Sequence, residues 1–116
     1  MTDDITFKVK PILMLTNCDA NEEADQIADD LVLQKLAAAV QIIGPTNSRY
    51  HWAGEVHRKE EWLLVIKTTN YCEARVKTSI QQLHSYQVPS ILTLDITGGD
   101  AGYLQWILNN ATLKKE

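Results

Sequence analysis

Residues 50–62 read Y-H-W-A-G-E-V-H-R-K-E-E-W, which gathers His51, His57, Glu55, Glu60, Glu61, Trp52 and Trp62 in one short stretch. Imidazoles and carboxylates ligate divalent ions, so a metal site is one reading. A β-hairpin turning at Ala53-Gly54 is the other, since a two-residue turn ending in glycine suits a primed turn. That turn sets Trp52 opposite Glu55, His51 opposite Val56 and Tyr50 opposite His57. Cross-strand partners share a face and neighbours alternate, so His51 and His57 face opposite ways and cannot grip one ion within a chain. Glu55 and His57 share a face, but two ligands alone make a weak site. The hairpin is the plainer reading, and a site assembled by symmetry between subunits stays open.

His84 and Tyr86 are a second constellation. They fall where a helical pattern gives way to an irregular connection, and such connections concentrate function. Gly98-Gly99-Asp100-Ala101-Gly102 follows a strand pattern and opens a helix, where backbone N–H groups hold anions. It lacks the phosphate-loop and dinucleotide words, so a tight turn with Asp100 as helix cap is expected. Thr68, Thr69, Ser79, Ser85 and Ser90 offer hydroxyls, none in a nucleophile-elbow word. Cys18 precedes an expected helix N-terminus, a setting that lowers a thiol pKa, but no histidine partner is evident in the sequence. Cys18 and Cys72 have neither CxxC spacing nor a disulfide framework and read as reduced, structural thiols.

The elements that position these groups are legible. The 116 residues are expected to form one domain over 1–116, with an ordered core over about 5–112. A 45% hydrophobic and 22% charged composition is ordinary for a soluble chain. The net charge of −4 gives no basic excess for nucleic acid. No apolar run approaches the roughly 20 residues of a membrane span. The acidic N-terminus is unlike a signal peptide, so a cytoplasmic location is expected.

Residues 5–16 read as a strand, with Ile5, Phe7 and Val9 alternating before an apolar run, and Pro11 marks an edge or the true start. Asp19 and Glu22 form a capping-box pattern, followed by Ala24, Ile27, Ala28, Leu31, Val32 and Leu36 at helical spacing and by a late Lys35. Residues 39–43 read as strand broken by Gly44-Pro45, and 48–52 with 55–67 as the hairpin. Asn70 to Glu73 repeats the capping box before a second helix with Cys72, Val76, Ile80 and Leu83 in its stripe. A fourth strand holds Ile91, Leu92, Leu94 and Ile96, a short third helix holds Tyr103, Trp106, Ile107 and Asn110, and the tail from Leu113 to Glu116 is expected to fray. The order is an α+β, ferredoxin-like βαββαβ: an antiparallel sheet with two helices on one face, a long hairpin and an extra C-terminal helix. Tyr50, Trp52 and Trp62 on an overhanging hairpin predict an oligomer that covers them.

K-L-A-A-A-V at 35–40, S-R-Y-H-W-A-G-E-V at 48–56, E-W-L-L-V-I-K-T at 61–68, H-S-Y-Q-V-P at 84–89 and G-D-A-G-Y-L-Q-W at 99–106 resemble the CutA divalent-cation tolerance proteins, from about Ile12 to Leu108. The resemblance implies a homotrimer with interlocking hairpins, a topology akin to the PII signalling proteins, a link to copper and other divalent cations, and no enzyme reaction. Ala39 stands at the family's cysteine position, which removes the soft thiolate that would select Cu(I) there. Ser85 and Ser90 stand where the family has proline and glutamate.

The resemblance also places the His84–Tyr86 element near the subunit boundary, close to the long strand on which Glu61 and Lys67 match family positions. Lying six residues apart, Glu61 and Lys67 face the same way. Tyr50, Trp52, Glu61, Lys67, His84 and Tyr86 are therefore the expected ligand-binding or inter-subunit cleft, with His84 the expected metal ligand. An ion pair stapling subunits is the structural alternative. Three functional readings follow: a metal-response trimer, a PII-like module holding a small anionic metabolite, and a stable trimeric scaffold.

Overall fold

Alternation along one central strand decides the architecture. In β1 (Pro11–Cys18), Ile12, Met14, Thr16 and Cys18 are buried while Leu13, Leu15 and Asn17 are half-buried. The buried set faces α1 (Asn21–Leu33) and α2 (Glu73–Leu83), whose Ala24, Ile27, Ala28, Leu31, Val76 and Ile80 join Leu64 and Ile66 in one core. The chain is described over residues 8–113 by a computed structural model. Ile5 and Phe7 of the expected first strand, and the expected fraying of 114–116, lie outside the described residues.

The other strands are β2 (Ala39–Trp52), β3 (Glu55–Thr69) and β4 (Leu92–Asp95), and α3 (Ala101–Asn110) follows. The sheet order is β2-β3-β1-β4 with every pairing antiparallel, the expected ferredoxin-like βαββαβ with an extra C-terminal helix. α3 lies on the second face: Leu13 and Lys67 are cross-strand partners there, and Lys67 Nζ donates to the Tyr103 hydroxyl at 2.9 Å. The rest of that face is apolar and open, with Leu15, Leu63 and Val65 half-buried and Leu92 and Leu94 exposed.

β2 and β3 extend far beyond the eight residues of β1 and stretch the molecule to 55 Å. The pairings Trp52–Glu55, His51–Val56 and Tyr50–His57 are as expected. Pro11 opens a central strand, the second of its two expected roles.

Several local expectations are corrected. β2 is not broken at Gly44-Pro45; it continues through a bulge between Ile43 and Thr46, with a cis Gly44-Pro45 bond. A bulge absorbs the extra residues without ending the pairing. Trp62 is not on the overhang; it sits opposite Cys18, with its indole against Gly44. Neither capping box forms. β1 runs on to Cys18, so Ala20 takes the α1 cap position with no side-chain bond, and Asp19 pairs with Lys59 at 3.4 Å. Cys72 takes the α2 position, while the Asn70 amide bonds Lys10 N–H at 2.8 Å and Lys8 C=O at 3.0 Å. α1 ends at Leu33, so Lys35 lies beyond it at φ 58° and Val32 is exposed. Asp100 does cap α3, accepting Tyr103 N–H at 2.9 Å, so the glycine loop is the expected capped turn.

Candidate metal centre and the adjoining cleft

The end of β1, the first turn of α1 and the end of α2 meet because both helices pack on the face toward which Cys18 points. Cys18 is the last inward residue of β1, and Glu23 sits beside the buried Ala24. His84 closes α2, its N–H donating to Ile80 C=O at 2.8 Å. Cys18 Sγ lies 3.9 Å from His84 Nε2, and Glu23 Oε2 lies 3.5 Å from His84 Nδ1. One ligating atom from each residue falls within 4.8 Å of the others.

The hydrogen bonds fix the histidine tautomer. Nε2 lies 2.6 Å from the Asn17 carbonyl oxygen, which can only accept, so Nε2 carries the proton. Nδ1 accepts the Tyr86 N–H at 3.1 Å and so presents a lone pair. Glu23 Oε1 accepts the Ser85 N–H at 3.2 Å, whereas Glu23 Oε2 is buried with no hydrogen-bond partner. Two acceptors, Nδ1 and Oε2, thus face each other in a side-chain environment 0% and 16% exposed. An unpaired buried acceptor is costly, and a cation between the two removes that cost.

Burial pushes the Cys18 thiol up to about 12, and the Glu23 charge, a side-chain hydrogen bond to Glu23 and the Glu61 charge add to it in that order. The expected lowering at a helix N-terminus is therefore reversed, because the thiol points into the core and toward carboxylates. The histidine partner that the sequence hid is His84, 66 residues away. Cys72 is structural, donating Sγ–H to Ala111 C=O at 3.3 Å.

Tyr86 joins this cluster to a cleft of about 530 Å³ between the hairpin and the connection after α2. Asn17, Tyr50, Trp52, Lys59, Glu61 and Tyr86 are among its lining residues. The Tyr86 hydroxyl donates to Glu61 Oε2 at 2.7 Å, and Lys59 Nζ lies 4.6 Å above the Tyr86 ring. Burial, and next the Glu61 hydrogen bond, push the Tyr86 hydroxyl up to about 12.

The structure therefore brings together five of the six expected site residues. Tyr50, Trp52, Glu61 and Tyr86 line the cleft, and His84 stands behind Tyr86, with ring centroids 4.7 Å apart. Lys67 does not join them: six residues of strand span about 20 Å, and it bonds Tyr103 instead. His57 stacks on Tyr50 at 5.6 Å. Glu23 and Cys18 were missed as partners of His84. The available signal was their placement on either side of one strand-to-helix turn, at the end of the sheet where His84 closes the other helix.

The family model for the CutA1 divalent ion tolerance protein matches residues 12–110. The chain is 39% identical over 98 residues to the Divalent-cation tolerance protein CutA of Thermus thermophilus, covering 84% of this chain and 95% of that protein. It is 34% identical over 102 residues to the Protein CutA, chloroplastic, of Arabidopsis thaliana, covering 88% and 56%. The solved structure of the divalent cation tolerance protein from Thermus thermophilus superposes with a TM-score of 0.86 at 37% identity, covering 88% of this chain and 99% of that one.

Proposed function

Because this chain belongs to the CutA1 divalent ion tolerance protein family, we propose that it acts in divalent-cation tolerance by binding a cation, as a non-catalytic homotrimer in the cytoplasm. The observation that supports the binding step is the convergence of Cys18, Glu23 and His84 with one carboxylate oxygen unpartnered. A sulfur, nitrogen and oxygen donor set suits a borderline ion such as Zn²⁺. Copper remains in the proposal as Cu²⁺, bound through the imidazole and carboxylate, since Ala39 leaves no second soft ligand at the family position.

The trimer is supported by the open second face of the sheet and by the hairpin. Leu92 on that face is 60% exposed, and Trp52 and Val56 near the hairpin tip are 63% and 64% exposed. Together they form more apolar surface than a lone chain of this size keeps in water.

A second reading is favoured by the cleft, whose lining includes Arg49 and Lys59 beside three aromatic rings. That is the chemistry of a small anionic metabolite and the PII-like alternative. Native mass spectrometry with and without Zn²⁺ and Cu²⁺ tests the proposal. Three chains with one metal per chain, with uptake weakened in Cys18→Ser and Glu23→Gln, is the expected result. A trimer that takes up no metal, but holds an anion through Arg49, overturns it in favour of the second reading.

A further inference from the structure

The cluster and the cleft share one atom pair. The lone pair of His84 Nδ1 faces Glu23 Oε2, and the Tyr86 N–H occupies it. A ring nitrogen has one lone pair in its plane, so it cannot hold an amide proton and a metal at once.

Nε2 is not the free alternative. It is committed to the Asn17 carbonyl at 2.6 Å, the outer-shell bond that orients ligating histidines and leaves the other nitrogen for the metal. Oε2 of Glu23 is buried without a partner on the Nδ1 side. The Cys18 sulfur, 3.9 Å from the Nε2 edge of the ring, is the third donor of the group and must turn toward Nδ1 to share its cation.

We propose that a thiophilic divalent cation, with Cys18 Sγ and Glu23 Oε2 as its other ligands, takes the His84 Nδ1 lone pair from the Tyr86 amide and so unlatches the 85–90 connection from the wall of the cleft. This rests on the metal-binding reading above. The thiol proton passes to water as the sulfur coordinates.

The consequence reaches the cleft through Tyr86 itself. Its N–H is held by His84, its hydroxyl by Glu61 and its ring by Lys59. Ser85 N–H is likewise held by Glu23. The two backbone donors that pin the start of this connection are therefore bonded to two of the three metal ligands. Displacing the Tyr86 amide removes one pin directly. Metal occupancy then sets the shape of the cleft, which makes the cleft the readout of the metal.

The test is an amide-resolved NMR titration of the intact protein with Zn²⁺, with native mass spectrometry of the same samples for stoichiometry. The expected result is that the Tyr86 amide signal shifts in step with zinc uptake and loses its protection from hydrogen exchange. Cys18→Ser and Glu23→Gln should each weaken zinc uptake about tenfold or more. Stoichiometric zinc with an unchanged, protected Tyr86 amide overturns the unlatching and leaves the metal-binding reading standing. Unchanged uptake in both variants puts the ion elsewhere and overturns this site. No zinc uptake at all overturns the metal-binding reading together with the inference built on it.

Discussion

The Tyr86 hydroxyl donates to Glu61 Oε2 at 2.7 Å, and through this bond a connection after α2 satisfies a carboxylate on β3 that is only 7% exposed. A hydrogen bond to a buried charged group is worth about 1.5–3 kcal/mol, and Tyr86→Phe should lose that much stability in urea. Tyr103→Phe removes a similar-looking bond to Lys67, but an exposed one, and should lose less than about 1 kcal/mol. Equal losses would contradict the burial argument.

Cys18 should be an unreactive thiol in the metal-free protein. Its pKa lies at about 12 against an ordinary 9.0, so little thiolate exists at pH 8. Iodoacetamide should label it far more slowly in the native protein than in urea. The sign for stability follows from the raised value: the contribution is complete below pH 9 and declines as pH rises toward 12. Tyr86, raised from 10.0 to about 12, acts in the same direction above pH 10. Melting temperature should therefore fall between pH 9 and 12 more steeply than in a Cys18→Ser, Tyr86→Phe variant.

The open sheet face predicts assembly. Light scattering should give three times the chain mass, and Leu92→Glu, placed on that face beside Leu15, should shift the population toward smaller species. A wild-type monomer would contradict the role given to this face.

Gly44→Ala should destabilise the base of the hairpin. A Cβ there would fall 2.8 Å from Trp62 Cγ and 2.9 Å from Trp62 Nε1, and the indole root has little room to retreat beside the core. Overpacking of this kind costs about 1–3 kcal/mol. Denaturation followed by tryptophan fluorescence reads the loss.

Much of the fold was legible because it follows from period and turn chemistry. The apolar run from Ile12 to Leu15, the Ala53-Gly54 turn and the stripe of Val76 and Ile80 each have a local physical cause, whereas the inward alternation of Ile12, Met14 and Thr16 within that run shows only in the structure. The capping boxes failed because α1 starts one residue late, with Ala20 at the cap position and Asp19 paired with Lys59, and because the Asn70 side chain bonds the backbone of Lys8 and Lys10. The cleft residues Tyr50, Trp52, Glu61 and Tyr86 were legible from the hairpin register and the family words. Lys67 was misplaced because sharing a strand face says nothing about the distance along it. The Cys18–Glu23–His84 meeting was not legible, since it depends on how the strand end and the end of a later helix pack, with 66 residues between thiol and imidazole.

X-ray absorption at the zinc edge of the zinc-loaded protein tests the metal centre most directly. The account predicts one sulfur at about 2.3 Å with the remaining nitrogen and oxygen ligands at about 2.0–2.2 Å, and loss of the sulfur shell in Cys18→Ser. A shell of nitrogen and oxygen alone in the unaltered protein would contradict the assignment of Cys18, Glu23 and His84 as the site.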